Sequence, residues 1–127
     1  MPENPEIIIL DDEPDIVSEF TDWLSLRGMS CLGTTDPDAA LHLLATHATV
    51  RVVLLDRRMP RMDGYEFIRR ARIMSKSQSG MLFVMITGHL TEEDFADARA
   101  HGAHALWSKP LDIAGLEQNL REMLAVP

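Results

Sequence analysis

Val52-Val53-Leu54-Leu55-Asp56 runs directly into Arg57-Arg58-Met59-Pro60-Arg61-Met62-Asp63-Gly64, and the join between these two pieces decides the architecture. The apolar run is too short for an amphipathic helix and shows no alternation, so it reads as a strand buried on both faces, as in a parallel sheet. Met59-Pro60 and Asp63-Gly64 are turn chemistry. A buried strand therefore ends in an irregular loop with one carboxylate at its mouth.

Working outward, similar short apolar runs occur at 7–10 and 82–86 and, more weakly, at 105–107, and 29–33 sits at the right interval for another strand. Between them the period changes to that of a helix. Ile16, Phe20, Trp23 and Leu24 fall on one face behind Pro14, and this helix ends before Gly28. Asp36-Pro37 is an N-cap and first-turn proline ahead of inward Ala40, Leu43 and Leu44. Phe67, Ile68 and Ala71 follow Gly64, while Thr91 with Asp94 three residues on forms a capping box. The last helix starts at Asp112 and presents Ile113, Leu116, Leu120 and either Met123 or Leu124.

Parallel strands need crossover helices, so five strand–helix units with short connections imply an α/β fold: a doubly wound parallel sheet with helices on both faces. At 127 residues there is room for one domain, spanning 1–127. Twenty acidic against twelve basic residues give a net charge of −8, which repels a polyanion and argues against direct nucleic-acid binding or an acidic membrane surface. No apolar run approaches bilayer length, the first residues lack the blocks of a signal peptide, and a single cysteine, Cys31, cannot form an internal disulfide. The expected location is the cytoplasm.

In doubly wound folds ligands bind at the carboxyl ends of the strands. Those ends carry Asp11, Asp12 and Glu13, then Asp56, Thr87 and Lys109. Converging carboxylates repel one another, and a divalent cation resolves the conflict; an oxygen-only ligand set with open water positions suits magnesium. A carboxylate can also attack phosphorus and form an aspartyl phosphate, the remaining need being charge neutralisation and positioning. Asp56 is the candidate nucleophile, Asp11 and Asp12 the metal pair, Lys109 a point charge and Thr87 a hydroxyl donor. Taken singly, each has a plainer reading: helix cap, surface lysine, ordinary threonine. The combination at the strand ends carries the specificity.

The stretches DDE, LLDRRMPRMDG, ITGH and SKPL together resemble the response-regulator receiver family of two-component signalling, over residues 7 to about 124. The resemblance implies a flavodoxin-like sheet of order 2-1-3-4-5, and it implies Asp56 as phosphoacceptor with Asp56 and the backbone carbonyl of Arg58 joining Asp11 and Asp12 around Mg2+. Thr87 becomes the switch hydroxyl and Lys109 the phosphate-binding lysine before a cis Pro110. The implied donor is a sensor histidine kinase or a histidine phosphotransfer protein. The implied output is a change in the face made by the helix at 91–101, the last strand and the last helix, which would bind an output domain, a partner or a second copy. Such a module catalyses its own phosphorylation and slow dephosphorylation but is not a turnover enzyme.

Two features depart from the common family pattern. Leu106 stands where many members carry an aromatic switch residue, with Trp107 next to it, and Arg58 and His89 flank the phosphate position with long or titratable side chains that imply an altered acyl-phosphate lifetime. Three rival readings each lack a feature they need. An aspartate-nucleophile phosphatase needs a second aspartate two residues after the nucleophile, where Arg58 stands. A flavodoxin-like electron carrier needs a Ser/Thr/Gly-rich first loop, where DDEPD stands. A degenerate receiver serving only as an interaction module would not keep every acceptor and metal group. The arginines at 57, 58, 61, 69, 70 and 72 read as a docking face for an acidic partner or as a solvated helix face.

Overall fold

A strand covered by helices on both sides reads as a continuous apolar run, and β1 (Ile7–Leu10) and β3 (Val52–Asp56) are buried throughout, with Asp56 at the end of β3 their one polar residue. The computed structural model describes residues 4–74, 80–88 and 90–125. Between and beyond those strands lie α1 (Pro14–Leu26), β2 (Cys31–Thr34), α2 (Pro37–Thr46), α3 (Gly64–Met74), β4 (Leu82–Thr87), α4 (Glu92–Ala100), β5 (Ala105–Ser108) and α5 (Ile113–Ala125). The strands form one parallel sheet of order β2-β1-β3-β4-β5, in register from Ile7 opposite Val52 to Thr87 opposite Ser108. The order is the one the resemblance implied.

The pleat sends alternate residues to two separate cores. Ile8, Leu10, Val53, Leu55, Phe83 and Met85 meet Phe67, Ile68 and Ala71 of α3 and the inner face of α2, while Ile7, Ile9, Val52, Leu54, Val84 and Ile86 meet Phe20, Leu24, Leu116 and Leu120 of α1 and α5. Methionine serves as filler here, with Met59, Met62, Met81 and Met85 all buried in the first core.

Local chemistry sets the helix ends. The Asp36 carboxylate accepts from the Asp38 amide, the Asp63 carboxylate accepts from the Tyr65 amide, and Thr91 and Asp94 close a reciprocal capping box. Gly28 (φ +83°) and Gly102 (φ +96°) take the left-handed turn after α1 and α4, letting the Met29 and Ala103 amides donate back to the Leu24 and Ala98 carbonyls.

Three details differ from the sequence expectation. The second strand begins at Cys31, because Met29 is still held in the turn that closes α1. In α2 the buried stripe is Pro37, Ala40, Leu41 and Leu44, with Leu43 half-buried at its flank; an adjacent pair of leucines leaves the exact centre of the stripe open until the sheet is docked. In α1 Val17 is buried against Gly33 of β2, while Ile16 and Trp23 are only partly buried against the second core and the Trp23 indole donates to Glu117 of α5. Met123 and Leu124 both pack against the second core.

At the edge of the first core the His104 amide donates to the Phe83 carbonyl, and the Phe83 amide donates back to Nδ1 of the His104 ring at 3.0 Å. Desolvation, with the Arg72 charge added, holds this ring below its ordinary 6.5. The folded chain thus binds fewer protons here than the unfolded chain, so this contribution is complete above pH 6.5 and is lost as the pH falls below it. A chemical-melt series between about pH 7.5 and 5 should show stability falling in the native protein and falling less in His104→Asn, whose side-chain oxygen accepts without titrating.

Candidate functional site

The carboxyl ends of β1, β3 and β4 and the residue after β5 open on one rim of the sheet, as the fold class demands. Asp11 follows β1, Asp56 and Thr87 are the last residues of β3 and β4, and Lys109 follows β5. Parallel pairing continues past the strands through the amides of Asp11, Arg57 and Lys109, which donate to the carbonyls of Thr34, Ile86 and Thr87. The rim is therefore positioned by backbone, not by side-chain contacts alone. Gly64 adds a steric constraint: a Cβ there would lie 2.9 Å from the Asp56 carbonyl oxygen and 3.2 Å from the Arg57 Cα, so the first residue of α3 presses directly on the strand end.

Carboxylate oxygens of Asp11, Asp12 and Asp56 all lie within 4.8 Å of one another. Asp11 and Asp56 are only 2% and 6% exposed, whereas Asp12 faces solvent. The Asp56 Oδ2 atom is 3.2 Å from the Lys109 ammonium, and its Oδ1 accepts from the Arg58 amide at 3.2 Å. Asp11 Oδ1 accepts from the Glu13 amide, but Asp11 Oδ2 is buried without a hydrogen-bond partner and has Lys109 only at 3.6 Å. Burial raises the Asp11 carboxyl above its ordinary value, and the neighbouring Asp56 and Asp12 charges push it the same way against the Glu13 amide and Lys109. Partial burial opposes the Lys109 charge, yet Asp11 and Asp56 outweigh it and hold the ammonium above its usual range.

The donor set fits a hard divalent cation: oxygen atoms only, several carboxylates, one of them carrying a buried oxygen that the protein itself leaves without a donor. The Asp11–Lys109 edge also borders a pocket of about 410 Å3 floored by Phe20 and Ile86 and edged by Glu19 and Pro110.

Asp11, Asp12, Asp56 and Lys109 come together as the sequence suggested, Thr87 ends β4 with its carbonyl accepting from the Lys109 amide, and the Lys109–Pro110 bond is cis. Arg58 is exposed beside them, its amide on Asp56. Leu106 is buried in the first core and Trp107 packs half-buried against the second, so β5 offers no aromatic ring at position 106. His89 lies outside the described residues. Most of the arginine series is occupied within the chain: Arg57 with Asp63, Arg61 with Asp36 and Asp38, Arg69 and Arg70 with Glu66, Arg72 with the Gly102 carbonyl. Sequence reading did not find the stack of Arg57 on Tyr65 on His101, because its members lie just after β3, at the start of α3 and just after α4, and meet only in the folded chain.

A family model described as the response regulator receiver domain matches residues 7–121. The chain is 29% identical over 119 residues to "Response regulator SaeR" of Staphylococcus epidermidis, covering 94% of this chain and 50% of that protein. It is 30% identical over 114 residues to "Sensor histidine kinase RcsC" of Salmonella typhi, covering 90% of this chain and 12% of that protein. It thus spans half or less of these curated relatives. Among solved structures, the signal receiver domain of an HD domain-containing protein from Pseudomonas fluorescens Pf-5 matches with TM-score 0.81 at 28% identity, covering 96% of this chain and 95% of that one. The family match extends over both cores and every strand that delivers a residue to the acidic rim, and on that ground the chain belongs to the response regulator receiver family.

Proposed function

We propose that residues 1–127 form one receiver domain in which Asp56 accepts a phosphoryl group from the phosphohistidine of a sensor histidine kinase or a histidine phosphotransfer protein, or from a small acyl phosphate. The observation that carries this reading is the Asp56 carboxylate itself, nearly buried yet held between the Lys109 ammonium and the Arg58 amide with two further carboxylates beside it. An Asp56 oxygen forms the bond to phosphorus as the bond from phosphorus to the donor nitrogen or oxygen breaks, and the electron pair leaves with the donor. Lys109 stays near the carboxylate it now neutralises and meets the new phosphoryl oxygens, the Thr87 hydroxyl donates to one of them, and the Arg58 amide keeps the carboxylate oriented. Asp11, Asp12, Asp56 and the Arg58 carbonyl would hold magnesium, which when bound supplies neutralisation of phosphoryl charge.

The new group adds about −2 charge at the rim. Thr87 and α4 respond, and the α4-β5-α5 face then engages an output domain, a partner or a second copy of the chain. Among the described residues no helix is long and apolar enough to cross a membrane, and the unpaired Cys31 suits a reducing cytoplasm. The net charge of −8 argues that nucleic acid is not bound by this domain directly. The departure from a phosphatase also stands, since Arg58 and not an acid lies two residues after Asp56.

Incubation with acetyl phosphate tests the reading: a phosphoprotein forms with magnesium and none forms once a chelator removes it. Asp11→Asn lowers magnesium affinity by at least the ~10–100-fold that losing even an outer partner costs, read by calorimetric titration; an unchanged affinity would place the metal elsewhere. Arg58, which is exposed, and His89 tune the lifetime of the acyl phosphate. Replacing each with a small polar residue should change the dephosphorylation rate by about tenfold or less, and an identical decay would remove them from that role.

A further inference from the structure

Between Asp56 and the far end of α4 lies a continuous three-layer stack. The Arg57 guanidinium sits 3.9 Å above the Tyr65 ring, and the His101 imidazole lies 4.0 Å below it with the two planes only 3° apart. Each layer is fixed by a second contact. Arg57 pairs with the Asp63 carboxylate, Asp63 also accepts from the Tyr65 amide, and His101 Nδ1 bonds the Asp97 carbonyl at 2.7 Å in the last turn of α4.

The stack begins at the residue next to Asp56, and the backbone around it has no slack. The Arg57 amide bonds the Ile86 carbonyl, the Gly64 amide bonds the Arg57 carbonyl, and Gly64 meets Asp56 and Arg57 too closely to admit a Cβ. A shift of the Asp56–Arg57 backbone must therefore move Tyr65. At the other end α4 is lightly anchored, with Ala98 as its one buried residue and Phe95 left 47% exposed. A groove of about 830 Å3 between α3 and the α4 terminus, walled by Tyr65, Arg69, Arg72 and His101, leaves that terminus room to move. A helix with few buried contacts is the kind of element a modest change can displace.

The geometry points to this stack as the physical link by which phosphorylation of Asp56 reaches α4, with Tyr65 as its positioning residue, supplying the ring that β5 lacks at Leu106. This rests on the receiver reading of Asp56. Aromatic and cation–π contacts of this type depend on separations of a few ångströms, so displacement at one face of Tyr65 alters the hold on the other. The coupling uses no group that touches the phosphoryl centre, which keeps it separable from the chemistry.

Hydrogen exchange of the 91–103 segment, measured with and without acetyl phosphate and magnesium, tests the link in the native chain, Tyr65→Phe, Tyr65→Leu and His101→Ala. The native chain and Tyr65→Phe should show the same phosphorylation-dependent change in α4 protection. Tyr65→Leu and His101→Ala should be labelled to the native level but show that change reduced by about two- to thirtyfold. An undiminished α4 response in both labelled variants overturns the link, as does loss of the response in Tyr65→Phe, which keeps the ring. A native chain that takes no label at all instead overturns the receiver reading, and the link with it; His101→Ala, at an exposed site, guards against a folding defect in the Tyr65 variant.

Discussion

Asp56→Asn incorporates no phosphoryl group from acetyl phosphate and magnesium, while the native chain is labelled. The amide has the shape of the carboxylate but no anionic oxygen able to attack phosphorus. Lys109, Asp11 and Asp12 remain, while the substitution removes the attacking oxygen together with the charge that Asp56 offers to Lys109 and to a metal. The variant should also fold, because the Asp11, Asp12 and Asp56 oxygens crowd within 4.8 Å and replacing one of them relieves like-charge repulsion. Intact-mass spectrometry of both proteins reads the result directly. Equal labelling of the variant would mean that the phosphoryl group goes elsewhere and would sink the assignment of Asp56.

Phe67→Ala should cost about 3–5 kcal/mol, the range for truncating a buried aromatic ring. Phe67 is wholly buried where α3 packs on β3 and β4, beside Ile68, Phe83 and Met85. The backbone there is tied to the rim through Gly64, so the cavity cannot close by simply drawing α3 inward. Against a typical total of about 5–15 kcal/mol the loss is a large share of the fold's stability. Urea denaturation measures it, with Leu26→Ala as the control: Leu26 is 85% exposed and its truncation should change stability by less than about 0.5 kcal/mol. Similar losses in both variants would mean that the first core does not carry the fold.

Much of this molecule could be read from its residues because two physical signals agreed. Strands buried on both faces leave unbroken apolar runs, and the five short runs at 7–10, 29–33, 52–55, 82–86 and 105–107 marked them to within a residue or two. The groups able to do chemistry stood just past those runs, so the class rule placed Asp11, Asp56, Thr87 and Lys109 on one rim. Capping was legible for a similar reason: the Thr91–Asp94 box is complete within four residues. What depended on docking was not legible. Leu43 reads as an inward residue until α2 meets the sheet, and only the structure buries Leu41 more deeply. The arginines read as a possible docking face until Asp36, Asp38, Asp63 and Glu66 were seen to engage them. Tyr65 and His101 carry no local signal of each other at all.

The unpartnered buried oxygen of Asp11 has a consequence for how this chain can change over generations. A carboxylate that is desolvated and hemmed in by two others is a liability to the fold in the absence of a cation. Selection for heat resistance alone, with signalling left unselected, would favour neutral replacements at position 11 among the earliest gains. Persistence of aspartate there in a lineage is thus a record of continued demand for the switch, and its loss would mark the moment a descendant became a scaffold.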